Sequence, residues 1–288
     1  MIGNLKNTIE ILKKYNLYTK KKVGQNFLID ENILKKIGEV SGLDKETGVI
    51  EIGPGLGSLT EVLAINAKKV LSYDIDEDMI TVLKDVLKDY DNVEVRHKDF
   101  LKVCLCEDLK IFRDCKNIKI VSNLPYYITT PIIFKLLSDQ LPICEYYFMV
   151  QKELALRLTA KTNTKDYNAL SVLMRYKTDT SILFDVSRNA FLPMPNVDSC
   201  FIKMSLVKRD LGIENEAHFG AYIQNIFASR RKTLVNNLNS SYGFNKEKLN
   251  TLITDFGYDF RVRAENLELE EIVKIYLKLI DEVDNLRE

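Results

Sequence analysis

Two segments of the chain carry residue types at spacings suited to chemistry. Val49-Ile50-Glu51-Ile52-Gly53-Pro54-Gly55-Leu56-Gly57-Ser58 reads as a strand running into a glycine-rich turn and then a helix. Glycine at a strand end lets a ligand approach the main chain closely. Asp74 closes the next strand-like run, 21 residues beyond Gly53, where an acid meets a ribose hydroxyl pair. Glycine spacing then separates cofactors. A dinucleotide turn needs its third glycine at the sixth position, beside a pyrophosphate on the helix terminus. Here Ser58 holds that position, and the third glycine comes one residue early, at Gly57. Glu51, just before the turn, opposes a pyrophosphate by charge and suits a cationic ligand.

The second segment is Ser122-Asn123-Leu124-Pro125-Tyr126-Tyr127, after the fourth strand-like run. Ligands in open α/β sheets sit at the carboxyl ends of strands. A nucleobase amine has its lone pair delocalised into the ring and is a poor nucleophile. Two acceptors on its hydrogens, the Asn123 side-chain oxygen and the Leu124 carbonyl, favour a pyramidal nitrogen and steady its developing charge. Pro125 fixes the turn. Tyr126 offers a ring for a flipped or unpaired base. The product nitrogen is acidic enough to release its proton to water, so the step requires no histidine or carboxylate base.

These turns need a scaffold. Val49–Ile52, Val70–Tyr73, Val93–His97, Ile118–Ser122 and Tyr146–Val150 read as buried strands. Leu59–Ala67, Glu77–Lys88 and Thr130–Ser138 have helical spacing between them, and Gly57 or Ser58 suits the first helix as a cap. The alternation predicts a parallel α/β sheet. Ser181–Val186 and Cys200–Leu206 are two further strands, joined by the rigid extended connector Phe191-Leu192-Pro193-Met194-Pro195. Past Val207, Ala217–Arg230, Lys246–Phe256 and Leu269–Leu286 are amphipathic helices. The expected domains are 1–206, catalytic, and 207–288, helical.

Composition narrows the class. The 288 residues are 46% hydrophobic and 28% charged, which excludes a disordered chain. No apolar run approaches a membrane span, and the polar start Met1–Lys22 does not resemble a signal peptide, so the expected location is the cytoplasm. The five cysteines show no paired-ligand spacing and read as reduced thiols, so no metal is expected. Net charge is zero, yet Met1–Gly24 carries six lysines against one glutamate, and Glu247–Glu288 eleven acids against six bases. A localised basic face is expected rather than a basic molecule.

The E-x-G-x-G-x-G pattern at Glu51 resembles the first motif of class I S-adenosylmethionine-dependent methyltransferases. In that group an acid such as Asp99, in His97-Lys98-Asp99-Phe100, contacts the adenine amino group, with an apolar neighbour against the ring. The whole chain resembles the ribosomal small-subunit RNA adenine N6,N6-dimethyltransferase family. Lys22-Val23-Gly24-Gln25-Asn26-Phe27-Leu28, Phe148–Glu153, Phe191–Ser199 and Ser229-Arg230-Arg231-Lys232-Thr233-Leu234 match its motifs in order.

The resemblance implies a Rossmann-like, mostly parallel seven-stranded sheet with a small all-helical C-terminal RNA-binding domain. It implies S-adenosyl-L-methionine as cofactor and dimethylation of two adjacent adenines in the 3′-terminal hairpin of small-subunit RNA, on an immature 30S-type particle. Cofactor contacts are implied at Gln25, Asn26, Leu28, Glu51, Gly53, Gly55, Asp74, Ile75, Asp99, Phe100 and Asn123. Asn123, Leu124, Pro125 and Tyr126 form the catalytic turn, Phe191 is a second aromatic wall for the base, and Arg230, Arg231 and Lys232 are backbone contacts. A monomer is expected.

Three features depart from the family. Asp74 replaces a glutamate, Tyr127 an asparagine, and overall neutrality is unusual for an RNA enzyme. Two alternatives stay open: a large-subunit adenine methyltransferase of the antibiotic-resistance type, which generally lacks the glycine at Gly24, and a non-catalytic RNA-binding assembly factor.

Overall fold

Residues 1–17, 25–139, 141–143, 145–282 and 286 are described by the computed structural model. Lys22, Val23 and Gly24 of the N-terminal signature, and Cys144, lie outside them. The strands are β1 (Phe27–Leu28), β2 (Thr47–Ile52), β3 (Lys69–Asp74), β4 (Val93–His97), β5 (Asn117–Asn123), β6 (Glu145–Gln151), β7 (Thr178–Val186), β8 (Phe191–Leu192) and β9 (Ser199–Leu206). Seven of them form one sheet in the order β4-β3-β2-β5-β6-β9-β7, and β1 pairs with β8 in a small separate one. From β4 through β6 neighbouring strands are parallel, and β9 runs antiparallel to β6.

Every residue of β2 is buried, as a strand covered on both faces requires. The helices Ser58–Asn66, Glu77–Val86 and Thr129–Ser138 link β2 to β3, β3 to β4 and β5 to β6. The first is buried from Ser58 through Ala64, and its N-cap is Gly57 at φ +88°, without a side-chain capping bond. From β2 the chain winds outward to β3 and β4, then returns to lay β5 on the other side of β2. That reversal is a topological switch point, and it opens a crevice at the carboxyl ends of β2 and β5. The Ser122 hydroxyl pins the crevice floor, donating to the Ile52 carbonyl at 2.5 Å.

The chain divides into two units, Met1–Ala155 with Ser181–Leu206, and Leu156–Thr180 with Val207–Glu288. This division differs from the expected single boundary at 206: residues 156–180 group with the helical part, although Thr178–Thr180 already begin β7. Ala160, Tyr167, Val172 and Tyr176 pack into one core with Phe219, Tyr222, Leu234 and Tyr276. Tyr176 meets Phe219 edge-on at 5.3 Å, and the Tyr167 hydroxyl donates to the Leu267 carbonyl at 3.0 Å. Within this unit the helices are Ala169–Lys177, Glu216–Ile226, Leu234–Tyr242, Lys246–Asp255 and Leu269–Asp281. No strand occurs among the described residues beyond Leu206.

The connector at 191–195 is corrected. Phe191 and Leu192 are a short strand rather than a free extended loop, pairing antiparallel with Leu28 and Phe27. Pairing satisfies main-chain groups that would otherwise face the core.

Candidate active site

One cavity of about 220 Å³ occupies the crevice in the first unit. Its floor is the glycine turn. Gly53 has φ +70°, and a Cβ there would stand 3.2 Å from the Pro125 ring; Gly55 has φ +59°, and a Cβ there would stand 3.2 Å from the Phe27 ring. Left-handed backbone and close neighbours together demand glycine at both. The Gly53 N–H donates to the Tyr73 carbonyl at 2.8 Å, fixing the turn onto β3.

Acids occupy two sides. Glu51 is 1% exposed, and its Oε2 accepts from the Thr60 hydroxyl at 2.7 Å and the Ser72 hydroxyl at 2.8 Å. Burial pushes its carboxyl up to about 7, the two hydroxyls pull it down, and the nearby Asp74 charge adds to the rise. Asp74 is also buried; its carboxylate accepts from the Asp76 N–H at 2.9 Å and the Gly55 N–H at 3.3 Å. Burial raises its carboxyl as well. Asp99 lines the same cavity, where Oδ1 accepts from the Leu101 N–H at 3.1 Å and caps the short 3-10 turn Phe100–Lys102. The bland role, a loop cap, and a place on the wall thus coexist in one residue.

Apolar groups fill the remaining walls. Phe100 is buried and meets Tyr73 edge-on at 5.6 Å, whereas Ile75 is half exposed at the mouth. Gln25, Asn26 and Leu28 lie along the wall from the N-terminal side.

The Asn123-Leu124-Pro125-Tyr126 turn enters the same cavity from β5. The Asn123 Nδ2 donates to the Asn26 carbonyl at 3.3 Å, and the Leu124 N–H donates to the Met149 carbonyl at 3.2 Å. Among the described residues no donor bonds the Leu124 carbonyl. The Tyr126 hydroxyl lies 2.6 Å from Ser199 Oγ, which anchors the far end of its ring. Burial raises the Tyr126 phenol.

Fourteen of the fifteen expected site residues therefore gather in one place, and Phe191 is the exception. It is 2% exposed and sits in the core with Leu28, Val186, Ala190 and Phe201, off the cavity wall. The pairing of β8 with β1 turns its ring inward. Eleven further wall residues were not among the expected site residues, Phe27, Lys98, Leu101 and Tyr127 among them. Phe27 stands inside the motif that carries Asn26 and Leu28, and the glycine at 55 was the signal for a ring packed above it. Tyr127 is 57% exposed at the cavity mouth, and burial with the charges of Asp74 and Asp99 raises its phenol.

In the helical unit Arg230 differs from its neighbours. Its guanidinium bonds Glu265, the Thr164 carbonyl and the Lys165 carbonyl, while Arg231 is exposed without such partners among the described residues. Lys232 is exposed as well, with a bond to Ser240.

Comparison with known proteins decides the family. The family described as ribosomal RNA adenine dimethylase matches residues 16–281. The chain belongs to that family. The ribosomal RNA small subunit methyltransferase A of Staphylococcus carnosus is 45% identical over 279 residues, covering 94% of both chains. Its namesake from a Geobacillus species is 45% identical over 275 residues, covering 93% of this chain and 94% of the relative. Among solved structures, a dimethyladenosine transferase from Plasmodium falciparum aligns with a TM-score of 0.71 at 26% identity, over 88% of this chain and 97% of its own. The 23S rRNA methyltransferase ErmE aligns at 0.66 and 24% identity, over 88% of this chain and 100% of its own, a likeness of fold. The family's fold is the class I S-adenosylmethionine-dependent methyltransferase fold, with its Rossmann-like, mostly parallel seven-stranded sheet.

Proposed function

We propose that this protein dimethylates N6 of two adjacent adenines in the 3′-terminal hairpin of small-subunit ribosomal RNA, with S-adenosyl-L-methionine as donor. One observation carries the reading: the Asn123–Tyr126 turn and the glycine turn with its acids line a single cavity.

The wall chemistry fits the donor. Glu51 matches its ammonium group, Asp74 its ribose hydroxyls, and Asp99 with Phe100 and Ile75 its adenine. Gln25, Asn26 and Leu28 complete the enclosure from the N-terminal side, and Gly53 and Gly55 let it lie against the main chain. When bound, S-adenosylmethionine supplies an electrophilic methyl group on a sulfonium. The chain's own task is to make the amine reactive. Asn123 Oδ1 and the Leu124 carbonyl accept the two N6 hydrogens, while Asn123 Nδ2 is occupied by Asn26. Acceptors fixed before the reaction stabilise the charge that develops on nitrogen without reorganising. Tyr126 holds the base by stacking, its tilt set by Ser199.

The wider reading has the enzyme acting as a monomer, without a metal, on an immature small subunit in the cytoplasm. Among the described residues no helix is long and apolar enough to cross a membrane. Exposed Arg231 and Lys232 on the helical unit then meet the RNA backbone, since phosphate neutralisation dominates RNA affinity. The 45% identical relatives carry a small-subunit name, which favours this substrate over the large subunit. The intact catalytic turn favours an enzyme over a non-catalytic factor.

The test uses unmodified small and large subunits incubated with the protein and S-adenosylmethionine, with the RNA digested and weighed. Dimethyladenosine at two adjacent positions of the small-subunit RNA is expected. Label in the large subunit alone, or in neither, overturns the proposal.

A further inference from the structure

The Cys104-Leu105-Cys106 segment takes no part in the reaction described above. Its two Sγ atoms lie 2.7 Å apart and both side chains are exposed. The other described thiols differ. Cys115 is half-buried, and Cys200 is buried with its thiol pushed up to about 12 by burial and by its bond to Asp185. Val103 and Leu105 are buried, so the chain is clamped on alternate residues and turns Cys104 and Cys106 outward together.

This clamp continues directly into the cavity wall. Lys98, Asp99, Phe100 and Leu101 line the cavity, and Lys102 N–H to the Asp99 carbonyl at 2.9 Å and Val103 N–H to the Phe100 carbonyl at 3.1 Å tie that wall to the thiols. A change of main-chain angles at 104–106 must be absorbed within three residues of Leu101.

We propose that Cys104 and Cys106 form a thiol–disulfide exchange site for a small dissolved disulfide of the glutathione type, and that closing their bridge weakens ligand binding at the adjoining wall. The Cys104 thiolate attacks one sulfur of the small disulfide, forming a mixed disulfide and expelling one thiolate. Cys106 then loses its proton and attacks Cys104 Sγ, expelling the second. The protein pair is oxidised by two electrons, the small disulfide is reduced to two thiols, and those thiols take up the two protons. Exposed pairs of this kind belong to the labile, regulatory class of disulfides. The second half of the proposal rests on the cavity being the S-adenosylmethionine site; the first half does not.

The full-length protein is equilibrated with mixtures of oxidised and reduced glutathione, trapped by alkylation, digested and weighed. A Cys104–Cys106 bridge is expected in the wild type, and a glutathione adduct on Cys104 without a bridge in Cys106→Ser. Reduced protein should bind S-adenosylhomocysteine several-fold more tightly than bridged protein, with recovery on adding dithiothreitol. The Cys104→Ser/Cys106→Ser variant should bind like reduced wild type in either buffer. Adducts on both cysteines with no bridge, or bridged protein with undiminished affinity, overturn the proposal. Should reduced wild type fail to bind S-adenosylhomocysteine at all, the cofactor reading and the coupling both fall, while bridge formation is still decided by mass.

Discussion

Asn123 at the end of β5 donates through Nδ2 to the main-chain carbonyl of Asn26, 97 residues earlier, at 3.3 Å. An amide so held has its donor end occupied and its acceptor end assigned to the cavity. The N-terminal segment thus orients the Asn123 side chain, proposed above to be catalytic, as well as lining the cavity.

Replacing Asn123 by Ala removes one of two acceptors, and loss of one such preorganised group costs roughly 10²–10³ in rate. The expected Asn123→Ala enzyme loses kcat on that scale and keeps its affinity for unmodified small subunits. Single-turnover methylation with parallel filter binding measures both. Transfer at close to the normal rate contradicts the account of the turn.

Glu51 makes pH informative. Its carboxyl titrates near 7 in the fold, against 4.5 for the ordinary group, because burial penalises the charge. Between those values the folded state holds a proton that the unfolded state has lost. Stability therefore falls as pH rises from about 4.5 through 7, by about 3 kcal/mol at most. Glu51→Gln should leave the melting temperature unchanged near pH 4 and raise it above pH 8. Ligand affinity moves the other way: a cationic group favours the carboxylate, so wild-type affinity should climb through pH 7 while the Gln variant binds weakly and without that climb. Calorimetry at pH 5.5 and 8 separates the cases.

Most of the first unit was legible because its strands are short apolar runs closed by turns, and because glycine at 53 and 55 answers a backbone requirement. The misses have a common cause. Phe191 turns inward through pairing with Leu28, a contact spanning most of the chain, and nothing local in Phe-Leu-Pro announces it. Residues 156–177 lie between two sheet strands, so only the packing of Tyr167 and Tyr176 reveals that they serve the helical core. The helix Leu5–Lys14 was hidden among lysines, although Asn4 caps it and Leu12 is buried.

Gly55 predicts a paired loss. At φ +59° an alanine is strained, and its Cβ presses on the Phe27 ring at 3.2 Å. Residues held in such regions cost about 1–3 kcal/mol. Gly55→Ala should lower the denaturation midpoint accordingly and weaken S-adenosylhomocysteine binding. Gly243→Ala, at φ +72° with open space around it, should show the stability loss alone.

Tyr126 separates ring from hydroxyl. Tyr126→Ala removes a stacking surface worth about 1–3 kcal/mol per base. Tyr126→Phe keeps the surface and gives up the bond to Ser199, worth about 1 kcal/mol. Methylation kinetics should show a large fall in kcat/KM for Ala and a small one for Phe. Equal losses would mean that the hydroxyl matters more than the ring.

Adjacent arginines in the helical unit should behave oppositely. Arg230 is bound to Glu265 and to the Thr164 and Lys165 carbonyls, so Arg230→Ala should destabilise the protein by about 1–2 kcal/mol in denaturant titration. Arg231 is exposed and makes no such bonds among the described residues, so Arg231→Ala should leave the midpoint unchanged. If it meets a phosphate, its loss weakens subunit binding and lowers the slope of log K against log salt by about 1. A salt slope equal to wild type removes Arg231 from the RNA interface.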